Sequence, residues 1–180
     1  MAFCYIIIKT LKRWIKLKAI EDLIADRLYA IINYILFKSI KPDIQVNKVT
    51  EIDEEMIAKL KEDHGIEGVI LDVDETIRKN MRSIPKVNQE WIQKLKGQLK
   101  VIIVSNGRDK SIKKFFEDIG IDYIGFARKP LRKSFLKACE KMKVEPHKVL
   151  VVGDRLFDDI HGGQRNNMKT ALVKSVEEER

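Results

Sequence analysis

Gly68-Val69-Ile70-Leu71-Asp72-Val73-Asp74-Glu75-Thr76 is an apolar run that turns acidic as it ends. A short run with no polar alternate is what a strand buried on both faces requires. The pattern repeats downstream, with further β-branched runs over 100–104, 123–126, 148–153 and 170–173. Between them lie stretches of helical periodicity over 87–96, 109–119, 132–143 and 156–166. Strands that alternate with helices predict an α/β fold: a central parallel sheet of about five strands, covered by helices on both faces as a three-layer sandwich. Ligands of such sheets sit at the carboxyl ends of the strands, so the chemistry is expected where strands stop.

Polar clusters do close the strands. Extended geometry puts Asp72 and Asp74 on one side of the chain, a carboxylate pair that suits a hard cation such as Mg²⁺. With the cation offsetting their repulsion, one carboxylate can attack phosphorus while the other moves protons. The second strand runs into Ser105-Asn106-Gly107, a hydroxyl and loop amides suited to phosphate oxygens. Ala127-Arg128-Lys129-Pro130 follows the third, and Lys129 is a point charge for a phosphoryl group in transfer. The fourth closes with Gly153-Asp154 and then Asp158-Asp159, able to complete the cation site. Each cluster alone reads equally as a turn or a helix cap. Four in succession do not.

This order of residues resembles the haloacid dehalogenase (HAD) superfamily of aspartate-nucleophile phosphatases. Within it the chain more closely resembles subclass IIIA proteins of the YqeG type and the related mitochondrial phosphatidylglycerophosphatase, over roughly residues 41 to 174. The likeness rests on Asp72-x-Asp74-x-Thr76, Ser105-Asn106, Ala127-Arg128-Lys129-Pro130, and Gly153-Asp154 followed by the 159–166 segment, Asp-Ile-His-Gly-Gly-Gln-Arg-Asn. The resemblance implies Asp72 as nucleophile and Asp74 as the proton-handling acid. It also implies Mg²⁺ held by Asp72, the Asp74 backbone carbonyl and Asp154, and Thr76, Ser105, Asn106 and Lys129 around the phosphoryl group. Asp159 keeps the family's spacing after Asp154 and is the favoured fourth acid, with Asp158 the alternative. Glu75 stands where the family usually has Asn.

The chain has 180 residues, 44% hydrophobic and 34% charged, with nine Gly and four Pro. That excludes a collagenous or wholly disordered chain and leaves room for one core with an appendage. Two cysteines, Cys4 and Cys139, exclude a disulfide scaffold or Cys-rich zinc module and fit a reducing cytoplasm. Residues 1–42 hold eight Lys/Arg against three Asp/Glu, and residues 43–180 twenty-seven against twenty-four. The chain therefore divides into a basic arm over 1–42 and a catalytic domain over 43–180. Lys9, Lys12, Arg13 and Lys16 fall at helical spacing opposite Ile7, Leu11 and Trp14, a basic amphipathic helix for an anionic membrane surface or for packing. The longest uncharged run there, 28–37, is too short to span a bilayer, so the expected location is cytoplasmic and peripheral, on the inner face of the membrane.

Only 33 positions separate Asp72 from Ser105 and 24 separate Ser105 from Lys129, so neither interval holds a cap domain. An open site admits a phosphate carried on something large. The substrate expected by resemblance is therefore a phospholipid head group, phosphatidylglycerophosphate, with Arg165, Arg155 and Arg128 as candidate contacts for its second phosphate. The alternatives are a nucleic-acid end, a phosphoprotein or a soluble phosphate ester, or a non-catalytic interaction protein. No aromatic-interleaved basic motif points to nucleic acid.

Overall fold

The computed structural model describes residues 40–174 and 176. The amphipathic helix expected in the arm lies outside the described residues. Within them, six parallel strands form one sheet: β1 (Ile44–Val46), β2 (Gly68–Leu71), β3 (Lys100–Val104), β4 (Asp122–Ile124), β5 (Val149–Gly153) and β6 (Lys169–Val173), in the order β1-β6-β5-β2-β3-β4. The helices are α1 (Glu54–His64), α2 (Lys86–Gln98), α3 (Lys110–Asp118) and α4 (Arg132–Met142). The crossover from β5 to β6 is one π-helical turn, Leu156–His161, that runs into a single α-helical turn, Gly162–Gln164.

Period-two alternation divides the core between the two faces of the sheet. Val69, Leu71, Ile103, Leu150 and Val152 point to the face covered by α1, α2 and α3, where Leu60, Ile92, Leu95 and Phe116 meet them. Ile70, Ile102, Val104, Val149 and Val151 point to the other face, against Phe135, Ala138 and Met142 of α4. Phe116 and Phe135 are completely buried, and each contributes about 2–3 kcal/mol by leaving water. Trp91 on α2 packs as expected and donates from Nε1 to the Ile52 carbonyl at 2.9 Å.

Two elements go beyond the sequence reading. β1 adds a sixth strand by pairing Ile44–Val46 with Ala171–Val173 of β6. Asp43 fastens that edge: its Oδ2 accepts from the Thr170 amide at 2.9 Å and the Thr170 hydroxyl at 2.8 Å, and its Oδ1 from Lys169 at 3.0 Å. Helix α1 is capped by Asp53, which accepts from the Met56 amide, and stopped by Gly65 at φ 64°.

Candidate active site

Strands β2 and β5 lie side by side at the centre of the sheet, and the connections leave them in opposite directions. That makes the crevice beyond their carboxyl ends the switch point, and it puts Asp72 beside Asp154. The Asp72 amide donates to the Val152 carbonyl at 2.9 Å, extending the ladder one residue into the site.

Lys129 is the hub of the buried part. Its Nζ lies 2.5 Å from Asp72 Oδ1 and 2.5 Å from Asp159 Oδ1. Burial disfavours the ammonium charge, yet Asp159 and Asp72 outweigh that and hold it above the ordinary lysine range. Burial likewise pushes the Asp159 carboxyl up, against the pull of Lys129. With two oxygens at 2.5 Å from the ammonium, the ionised pair is the state the geometry favours. Asn106 fixes this lysine from behind: its Oδ1 accepts from the Lys129 amide at 2.7 Å and its Nδ2 donates to the Lys129 carbonyl at 3.3 Å. Both polar ends of Asn106 are thereby held on the Lys129 backbone, beside the place around the phosphoryl group that the resemblance implies for it. The Lys129-Pro130 peptide is cis.

Thr76 Oγ1 stands 3.3 Å from both Asp72 Oδ2 and Asp154 Oδ1, so its one proton can go to either carboxylate. Asp159 comes close because Gly153 has no side chain: a Cβ there would lie 2.3 Å from Asp159 Cγ. The remaining oxygen of Asp159 accepts from the Arg155 amide at 3.1 Å. Asp158 instead pairs with Arg155 at 2.9 Å, which leaves Asp159 as the acid that joins the cluster.

Asp74 is held from another direction. Arg78, only 2% exposed, directs Nε and Nη2 at Asp74 Oδ1, each at 2.7 Å, and Nη1 at Asp109 Oδ2 at 2.8 Å. Asp109 also caps α3, accepting from the Ser111 and Ile112 amides. The Ser111 hydroxyl and then Arg78 hold its carboxyl far below the usual carboxylate range. Ser105 is buried and accepts from the Gly107 amide at 3.0 Å. Asp74 Oδ2 and Ser105 Oγ both lie 3.3 Å from where a Cβ on Gly107 would stand, so the bare glycine lets the acid face the hydroxyl.

The sequence reading missed Arg78 and Asp109. Their signal is an arginine four residues after Asp74, at the spacing that pairs opposite charges, and an acid directly before a helix. Arg165 is exposed and follows the β5–β6 crossover, and the hydrogen bonds and ion pairs that hold the cluster together do not involve its side chain. Cys139 is buried, and burial pushes its thiol up to about 11, as suits an inert core thiol.

Oxygens of Asp72, Asp154 and Asp159 lie within 4.8 Å of one another. Burial and then the charge of Asp72 push the Asp154 carboxyl up to about 6, as expected of an acid beside another carboxylate whose cation, Lys129, is shared with Asp159. An all-oxygen donor set of this kind fits a hard divalent cation. The Asp74 carboxylate is not in the cluster, so any contact from that residue would come through its backbone.

Comparison with known proteins agrees with this geometry. A model of the haloacid dehalogenase-like hydrolases matches residues 8–167. The chain is 38% identical over 144 residues to the probable phosphatase YqeG of Bacillus subtilis, covering 78% of this chain and 81% of that protein. It is 40% identical over 60 residues to the glyceraldehyde 3-phosphate phosphatase of Pyrococcus furiosus, covering 33% of this chain and 25% of that one. Among solved structures, a HAD family enzyme of Bacteroides thetaiotaomicron superposes with a TM-score of 0.53 at 12% identity, over 63% of this chain and 97% of that chain.

Proposed function

The chain belongs to the haloacid dehalogenase-like hydrolase family as a phosphatase of the YqeG type; from that premise we propose that it is a Mg²⁺-dependent phosphomonoesterase acting on phosphatidylglycerophosphate at a membrane surface. The observation that carries the chemistry is the buried Lys129 ammonium shared between Asp72 and Asp159 at 2.5 Å. It fixes the rotamer of the nucleophile and places positive charge where phosphoryl oxygens gather.

An Asp72 oxygen attacks phosphorus as the bond to the glycerol oxygen breaks. Arg78 holds Asp74 Oδ1, leaving Oδ2 to give its proton to the departing oxygen. Water then attacks the phosphorus of the aspartyl phosphate, Asp74 takes a proton from it, and the bond to Asp72 breaks to free inorganic phosphate. Ser105 and Lys129 hold the phosphoryl oxygens through both steps. Asp72, Asp154 and the Asp74 carbonyl would hold Mg²⁺, which supplies charge neutralisation at the phosphoryl group.

Two features support a substrate carried in a membrane. The intervals from β2 to β3 and from β3 to β4 hold one helix and its loops each, so neither carries a cap insert. The basic amphipathic pattern over 1–42 suits an anionic surface. Among the described residues no helix is long and apolar enough to cross a membrane. The test is Mg²⁺-dependent phosphate release from phosphatidylglycerophosphate in mixed micelles, with Asp72→Asn as blank and a soluble phosphate ester as comparator. Turnover of the soluble ester alone would keep the chemistry and overturn the lipid assignment.

A further inference from the structure

Large apolar side chains left in water are unevenly distributed over this domain. Among the described residues they are Met81, Val87, Phe126, Leu131 and Leu136, and the first, third and fourth are 73%, 58% and 55% exposed. Met81 lies in the loop after β2, and Phe126 and Leu131 lie in the loop after β4. All strands are parallel, so these loops open on one edge of the sheet, the edge that carries Asp72, Lys129 and Asp154. Val87 and Leu136 fall in the first two turns of α2 and α4, the helix ends nearest that edge. The loops of the opposite edge, over 65–67, 119–121 and 143–148, expose no large apolar side chain.

Backbone conformation strengthens the asymmetry. Met81 has φ 56° and Phe126 φ 50°, the left-handed region that favours Gly or Asn. Neither bulky side chain is buried in return, so local stability does not explain its presence. Exposed apolar groups that also carry a backbone cost mark an interaction surface.

Charge indicates the partner. Arg82 and Arg128 are exposed on the same loops, and Arg108, exposed in the neighbouring loop after β3, lies over the Phe126 ring at 4.9 Å. Two nearby acids, Asp74 and Asp109, are already tied to Arg78. On the opposite edge cations meet acids, as in Lys148 with Glu67 and Lys141 with Asp122. An apolar tip set among cations complements an anionic lipid surface, the tip entering the acyl boundary and the arginines meeting phosphates. A nucleic acid would use the cations and leave Met81 and Leu131 without a role.

We propose that the loops bearing Met81, Phe126 and Leu131 form a docking face that seats the mouth of the active site directly on an anionic bilayer. This rests on the reading of the substrate as membrane-borne and adds a contact separate from the 1–42 arm. Docking by this face turns Asp72 toward the headgroup layer and makes the lipid surface itself the cover of an uncapped site.

The test uses the full chain, wild type and the triple variant Met81→Asn, Phe126→Asn, Leu131→Ser. It measures co-sedimentation with phosphatidylcholine vesicles with and without phosphatidylglycerol, which carry no phosphomonoester and so report docking independently of turnover. The expected result is salt-sensitive binding of wild type to the anionic vesicles, weakened roughly tenfold or more in the triple variant. Turnover of a soluble ester should stay within about twofold, since none of the three side chains touches the reacting atoms. Asn suits a positive φ, so thermal stability should hold; if Leu131→Ser compromises folding, the double Asn variant makes the same comparison. Equal vesicle binding by wild type and variant, no binding by wild type, or self-association that the substitutions abolish would each overturn the proposal. Rim-dependent binding without hydrolysis of phosphatidylglycerophosphate would leave docking standing and remove the substrate assignment alone.

Discussion

Arg78 Nε donates to a single oxygen of Asp74, Oδ1, at 2.7 Å, and Nη2 stands at the same distance from that oxygen. The same guanidinium reaches Asp109 at the N-cap of α3, directly after the Ser105-Asn106-Gly107 loop. Asp74 and the Ser105-Asn106-Gly107 loop, the acid and the phosphate loop of the proposed mechanism, are thereby tied to one buried cation. Arg78→Met should lower kcat about tenfold to a hundredfold while moving KM little, because it frees the acid without touching the phosphoryl contacts. The loss should grow as the leaving group becomes a poorer one, since those esters depend most on protonation. Arg78→Lys keeps the charge but not the fork, and should recover stability more than rate. A rate loss equal across good and poor leaving groups would mean that Arg78 supports the fold only.

Removing Lys129 leaves two facing carboxylates, Asp72 and Asp159, both buried. Lys129→Met should abolish measurable turnover and destabilise by about 3–5 kcal/mol, the usual result of stripping a buried charge of its partner. Adding Asp159→Asn removes one of the stranded charges. The double variant should regain much of the stability in denaturant titration and none of the activity. Full additivity of the two losses would show that the pair is not coupled.

Much of this architecture was legible from period and punctuation. The four clusters close strands on the same edge of the sheet, and Asp72, Thr76, Lys129, Asp154 and Asp159, from three of them, converge at the switch point. The sixth strand was not legible. Ile44–Val46 is three residues long, too short for a period, and its place depends on Asp43 gripping Lys169 and Thr170 well over a hundred residues away. The helical period over 156–166 was visible, but its division into a π-turn and one α-turn was not. The Ile160 amide reaches back five residues to the Arg155 carbonyl, and nothing in apolar spacing distinguishes that bond from an α-helical one. Asn106 shows a different limit. The resemblance sets it around the phosphoryl group, and only three-dimensional proximity shows both its polar atoms bonded to the Lys129 backbone.

Gly153 has no functional group, yet it decides where Asp159 can stand. A Cβ would lie 2.3 Å from Asp159 Cγ, 2.4 Å from Oδ2 and 2.6 Å from Cβ. Those atoms cannot retreat, since Asp159 is anchored by Lys129 and by the Arg155 amide. Gly153→Ala should therefore cost about 1–3 kcal/mol by overpacking. It should also reduce kcat, because the displaced carboxylate carries Lys129 with it. Wild-type activity in this variant would show that the lysine does not need Asp159 to find its place.

The proposed metal site makes a prediction about pH. Asp154 is raised from 3.8 to about 6, by burial first and by the charge of Asp72 second. A carboxyl raised in the folded state binds its proton more tightly there than in the unfolded chain. Its contribution to stability therefore falls as pH rises above about 4 and is at its lowest above about 6. A cation bound beside Asp154 reverses this, because it needs the ionised form and offsets the repulsion. Addition of Mg²⁺ should raise the melting temperature clearly at pH 7.5 and hardly at pH 5, with chelator restoring the metal-free value. Asp154→Asn removes the titrating group and the ligand together. That variant should be at least as stable as the metal-free wild type at pH 7.5, should gain nothing from Mg²⁺, and should lose turnover. A Mg²⁺-induced rise of the same size in Asp154→Asn would place the cation elsewhere.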